Sequence, residues 1–154
     1  MHLSTLLVPE AVKSASTYSS KKRLFQDVGE LASSIYGLDS SDATHAFLER
    51  EALGPTGVGK GIALPHARIP GLSEIRGFFF RVEKPMDFGS VDRQPVDLVF
   101  ALLAPQESGV DHLKALALIS RTMRDTALCS KLRANSDPAT LHTLLIADQG
   151  NQAA

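Results

Sequence analysis

The 154-residue sequence predicts an α/β fold, a central mixed β-sheet flanked by helices in a single layered domain. Three observations predict it. Apolar residues recur at helical spacing toward both ends of the chain. Between those stretches lie two runs dense in Phe, Val and Leu, Arg76 to Val82 and Val96 to Leu103. The second is nearly apolar throughout, as a strand covered on both faces must be.

The elements follow in order. Ser19 and Ser20 are N-cap residue types, and Leu24, Val28, Leu31 and Ile35 then recur on one helical face. Gly37 closes that helix. Ser40 or Ser41 opens a second, from about Asp42 to Leu53, with Phe47 and Leu48 as core contacts. Gly54 to Gly61 holds four glycines and one proline and reads as a loop. Ile62-Ala63-Leu64 is a short strand stopped by Pro65. Met86 to Pro95 holds turn residues, with room for a short strand. From Asp111 the helical period returns, with Leu113, Leu116, Ala117 and Met123 on one face. Asp125 restarts a helix carrying Leu128 and Leu132. Asp137-Pro138 starts the last one, with proline at its first position and Leu141, Leu144 and Leu145 buried. The domain is expected over residues 1–148, with 149–154 a small, polar, disordered tail.

Composition narrows the function. Lys and Arg number 16 against 17 Asp and Glu, a net charge of −1, so nothing calls for a nucleic-acid partner. The single Cys129 permits neither an internal disulfide nor a cysteine zinc site, and reads as a small core residue on a helix. Met1 to Leu7 lacks a basic, apolar leader pattern, and Leu98 to Ala104 is too short to span a bilayer. The expectation is a cytoplasmic protein without membrane insertion.

Gly54-Pro55-Thr56-Gly57-Val58-Gly59-Lys60-Gly61 nearly spells a nucleotide-binding P-loop. The motif requires Ser or Thr after the lysine to bind magnesium, and Gly61 stands there. The context fails too, because this loop follows a helical stretch and leads into a strand. A glycine-rich turn still presents successive N–H groups that can hold an anion, and Thr56 adds a hydroxyl. From composition alone, a tight connection that needs glycine is the better explanation of the loop.

Of five histidines, His2 is terminal, His45 and His142 sit in helical stretches with no nearby partner in sequence, and none of the three receives a role. His66 follows a short strand, a proline and the glycine loop, at a strand end where α/β sites form. Arg68 brings positive charge two residues on. A neutral imidazole beside an anion-binding loop is suited to accept a phosphoryl group.

The stretch Arg50 to Arg68, with Gln94-Pro95-Val96-Asp97-Leu98-Val99-Phe100-Ala101-Leu102-Leu103 and Asp111-His112-Leu113-Lys114-Ala115-Leu116, resembles the fructose/mannitol-type (type 2) IIA domains of the bacterial phosphotransferase system. Leu6-Leu7-x-Pro9-Glu10 and Ser20-Lys21-Lys22-Arg23 resemble the stand-alone, nitrogen-regulatory group of that family. The resemblance spans about Leu3 to Ile146. It implies that His66 is the phosphoryl acceptor, loaded from a histidine phosphocarrier protein, and that His112 and Arg50 line the same site. Thr56, Gly57 and Arg68 are the candidate phosphate binders. It implies no metal and no cofactor. Pro55 stands where the family often has Ser, and Lys60 where a small or polar residue is common.

Four functions compete at this point. One is a phosphoryl carrier whose phosphorylation state controls partner proteins. Another is a sugar-specific IIA component that passes phosphate to a fructose/mannitol-type permease. The others are a binding module that is never phosphorylated and a magnesium-dependent nucleotide binder. The near-miss of the P-loop disfavours the last.

Overall fold

The computed structural model describes residues 1–153, with side chains described through Ala147. Helix α1 (Leu3–Leu6) and a 3-10 turn at Pro9–Ala11 lead into β1 (Val12–Ala15). Helices α2 (Lys21–Tyr36) and α3 (Ser40–Leu53) follow, then the short strands β2 (Gly57–Gly59), β3 (Ile62–Ala63) and β4 (His66–Ile69). The long strands β5 (Arg76–Met86) and β6 (Val96–Pro105) precede α4 (Val110–Met123), α5 (Thr126–Arg133) and α6 (Pro138–Ala153). The tail expected at 149–154 falls where side chains lie outside the described residues. No helix among the described residues is long and apolar enough to cross a membrane.

The strands form one six-stranded mixed sheet in the order β1-β5-β6-β3-β2, with β4 also on β6. β5 runs antiparallel to β6, whereas β3 and β4 run parallel to it. Leu98 through Ala104 are all fully buried, so β6 is covered on both faces, as its apolar run implies. The sheet itself contributes Phe78, Phe79, Phe80 and Phe100 to the core, and Phe25 stacks on Phe47 at 5.3 Å between α2 and α3.

β3 ends before Pro65, as expected, and β4 resumes just beyond it. Ile62 pairs with Leu98, Ala63 with Val99, and His66 resumes the same register opposite Leu102. Proline donates no N–H, so the ladder skips one bond, but the Pro65 carbonyl still accepts from Leu102 N–H at 2.9 Å. The stop is as expected; the resumption beyond it comes from pairing to β6.

Other boundaries shift for physical reasons. Ser20 caps α2 through Arg23 N–H, and Gly37 ends it in the left-handed region at φ 70°. The cap of α3 is Asp39, not a serine, since its carboxylate accepts from Asp42 N–H at 3.0 Å. Leu48 is only partly buried beside Phe47. Helix α4 turns a different face inward than expected. Leu113 is 62% exposed, whereas His112, Ala115, Ile119 and Thr122 are buried. The glycine loop includes the two-stranded pairing of β2 with β3, and 87–95 contains no strand. The short, polar β1 had no pattern strong enough to mark it.

Candidate functional site

His66 is the first residue of β4, and alternation sends it and Arg68 to one side while Ala67 and Ile69 are buried. Helix α4 begins just beyond the end of the adjoining β6, which brings His112, in its first turn, beside the His66 ring. The two imidazole centroids are 5.5 Å apart. Arg50 comes from the last turn of α3. Its Nη1 donates to the Gly54 carbonyl at 3.0 Å, which ties the guanidinium across the helix end. His66, Arg68, His112 and Arg50 thus line one open concavity of about 410 Å³, with Leu53 and Glu49 at its wall.

The His66 ring is oriented by its own strand. Nδ1 lies 3.0 Å from the Leu64 carbonyl oxygen. A carbonyl can only accept, so Nδ1 carries the proton and Nε2 carries the lone pair in the neutral ring. Burial pushes the His66 pKa below 6.5, and the Arg50 charge adds to that, against the opposing pull of the Leu64 bond and Glu51. Burial likewise lowers His112, aided by His66 and Arg68. Both rings are therefore neutral at pH 7. His112 Nδ1 is buried without a hydrogen-bond partner.

Two of the residues expected at the site stand apart from it. Thr56 and Gly57 do not line the concavity. The Thr56 N–H and hydroxyl both donate to the Glu51 carboxylate, at 2.9 and 2.6 Å. Gly57 lies in β2 with its α-carbon against Ser90, where an added Cβ would meet Oγ at 2.1 Å. Their donors serve the loop. Composition could not reveal this, because it does not show which donors a neighbouring carboxylate consumes. Sequence reasoning also missed Glu51 itself, whose side chain is 6% exposed and pairs with Lys21 at 2.8 Å. It missed the Leu64 carbonyl, which only the resumed strand register brings to His66. His142, given no role, lies 3.0 Å from the Leu7 carbonyl through Nε2, a structural contact.

The family model described as "Phosphoenolpyruvate-dependent sugar phosphotransferase system, EIIA 2" matches residues 5–147. The chain belongs to this family. A nitrogen regulatory protein of Bradyrhizobium diazoefficiens is 44% identical over 145 residues, covering 94% of this chain and 95% of that protein. One from Klebsiella oxytoca is 36% identical, covering 100% of this chain and 96% of its own length. Among solved structures, nitrogen regulatory protein IIA-Ntr from Neisseria meningitidis superposes with a TM-score of 0.85 at 30% identity, over 93% of this chain and 98% of that one. The central mixed sheet flanked by helices is therefore that of an EIIA type 2 domain, and the stand-alone nitrogen regulatory proteins are its relatives.

Proposed function

We propose that this EIIA type 2 domain is a phosphoryl carrier whose His66 Nε2 accepts a phosphoryl group from a phosphohistidine on a carrier protein. The single observation that supports it most is the 3.0 Å contact of His66 Nδ1 with the Leu64 carbonyl. It leaves Nε2 as the nucleophile and keeps the ring from rotating. In the transfer, the Nε2 lone pair forms the new N–P bond as the donor's N–P bond breaks. The donor imidazole leaves with that electron pair. The Nδ1 proton stays on His66, where the Leu64 oxygen stabilises the positive charge that develops on the ring.

The three phosphoryl oxygens need positive charge and donors in place before the reaction. Arg50 and Arg68 supply the charge, and Arg50 is held by Gly54 at the helix end. A neutral His112 donates from Nε2, since a proton on its buried Nδ1 has no acceptor. Phosphorylation adds roughly −2 charge to an open surface, which suits control of partner proteins by docking or repulsion. The nitrogen regulatory relatives favour that regulatory output.

Intact-mass measurement at mildly alkaline pH tests the reading. The protein is incubated with phosphoenolpyruvate and the general phosphotransferase proteins, alongside His66→Ala. One acid-labile phosphoryl group in the wild type and none in the variant is expected. No mass gain with several phosphocarriers would leave an unphosphorylated binding module. Rapid onward transfer to a fructose-type IIB protein would make the domain a sugar component instead.

A further inference from the structure

A second cavity, of about 440 Å³, opens between the β2–β3 hairpin and helices α4 and α5. It shares no lining residue with the His66 concavity. Its volume falls within the roughly 300–1,000 Å³ of small-molecule sites. Ile62, Leu64 and Met123 provide a buried apolar floor. Three cations stand around it, Lys60, Arg124 and Arg133, and no carboxylate is among the residues that line it.

These cations differ in their commitments. Arg133 is held by Asp97, with Nε 2.9 Å from Oδ2, and its Nη2 donates to the Lys60 carbonyl at 2.7 Å. That pair pins the hairpin to α5. Asp92 fixes the same turn by accepting from Lys60 N–H at 2.8 Å. The Lys60 ammonium and the Arg124 guanidinium have no side-chain partner among the described residues. Lys60 also holds the left-handed conformation at φ 58°, which sets where its side chain leaves the turn.

We infer that this cavity binds a small organic anion with an apolar body, and that occupancy is sensed at His66. The apolar floor takes the body, and Lys60 and Arg124 take the anionic group. The link is one residue long. Leu64 lines the cavity, and its carbonyl is the acceptor that orients the His66 ring. A ligand pressing on Leu64 moves that carbonyl against a ring held at 3.0 Å. The sensing clause rests on His66 as the phosphoryl acceptor; the binding clause does not.

The probe is 1-anilinonaphthalene-8-sulfonate, with uncharged N-phenyl-1-naphthylamine as its neutral twin. Binding is followed by fluorescence titration and located by amide NMR shifts, and the His66 ring nitrogens are observed directly. The expected result is a saturable single site mapping to Ile62, Leu64 and Met123, with a shift of the His66 Nδ1 resonance. Lys60→Asn, chosen because Asn tolerates the left-handed turn, and Arg124→Gln each weaken the sulfonate about three- to five-fold. Neither weakens the neutral twin. No saturable binding, or sulfonate binding indifferent to both variants, overturns the site. Binding with unmoved His66 resonances overturns the sensing role. None of these readouts needs phosphoryl transfer, so failure here and failure of the carrier reading are separate results.

Discussion

Glu51 accepts both donors of Thr56, the backbone N–H at 2.9 Å and the hydroxyl at 2.6 Å, while Lys21 reaches the same carboxylate at 2.8 Å. This buried knot joins α2, the end of α3 and the glycine loop. It sits one residue from Arg50, so it sets where the loop leaves the helix. Glu51→Ala strips the carboxylate from a partly buried ammonium and from the N–H and hydroxyl of buried Thr56 together. The expected loss is about 2–4 kcal/mol, mostly from the stranded donors of buried Thr56, since the partly exposed Lys21 ammonium regains water. Thr56→Val removes only the hydroxyl and costs about 1 kcal/mol. Urea unfolding of both variants checks the order; equal losses would refute the role of the carboxylate.

This knot marks the boundary of what was legible. His66 was readable because a proline, a glycine loop and a nearby arginine surround it in sequence. Helix α2 was readable from its period and caps. Glu51 was not, because a glutamate on a helix ordinarily faces water, and only the fold supplies Lys21 from 30 residues away. His112 was assigned to the site, yet the face of α4 was misjudged. The inward face runs through His112, Ala115, Ile119 and Thr122, and two of these four are polar, so an apolar count chose Leu113. The break at Pro65 was legible from its missing N–H, but the resumption as β4 was not, because the register that spans the break is set by β6.

The two neutral imidazoles give stability a pH dependence. In the unfolded chain each takes up a proton near pH 6.5; in the folded protein both pKa values lie lower. Between those values the unfolded state binds more protons, so acidification favours it. Stability contributed by this effect is full above pH 6.5 and is lost as pH falls toward the folded values. Urea midpoints measured from pH 7.5 down to 5 are expected to decline, and to decline less in His66→Gln. A midpoint unchanged by that substitution at every pH would disprove the linkage. The same neutrality governs reactivity, so phosphoryl acceptance stays level from pH 8 to 6.5 and falls only once His66 is protonated.

Arg50 acts on the transferred group rather than on the fold. Its hydrogen bond among the described residues goes to the part-buried Gly54 carbonyl at the helix end, so Arg50→Gln costs no more than about 1 kcal/mol of stability. A charge-assisted bond to the phosphoryl oxygens is worth about 1.5–3 kcal/mol, which converts to roughly 10- to 150-fold in transfer rate. Arg50→Lys keeps the charge but loses the planar fork, and recovers only part of the rate. Single-turnover phosphorylation by a loaded phosphocarrier measures both. Full activity of Arg50→Gln would remove Arg50 from the site.

Gly61 tests the geometry that ties the glycine loop to the sheet. Its φ is 80°, and a Cβ there would stand 2.7 Å from Arg133 Nη2 and 2.9 Å from Asp97 Oδ1. Its carbonyl accepts from both Asp97 and Leu98 N–H, so the residue cannot move away without breaking the start of β6. Gly61→Ala therefore meets a left-handed backbone and the Asp97–Arg133 pair together. A loss of about 2–4 kcal/mol is expected from strain and displaced contacts. In the double variant with Arg133→Ala, the contact with Nη2 is removed while the Asp97 contact and the backbone part remain. The double-mutant cycle should then show a favourable coupling of about 1 kcal/mol. Strict additivity would mean that the contact with Arg133 adds no strain of its own.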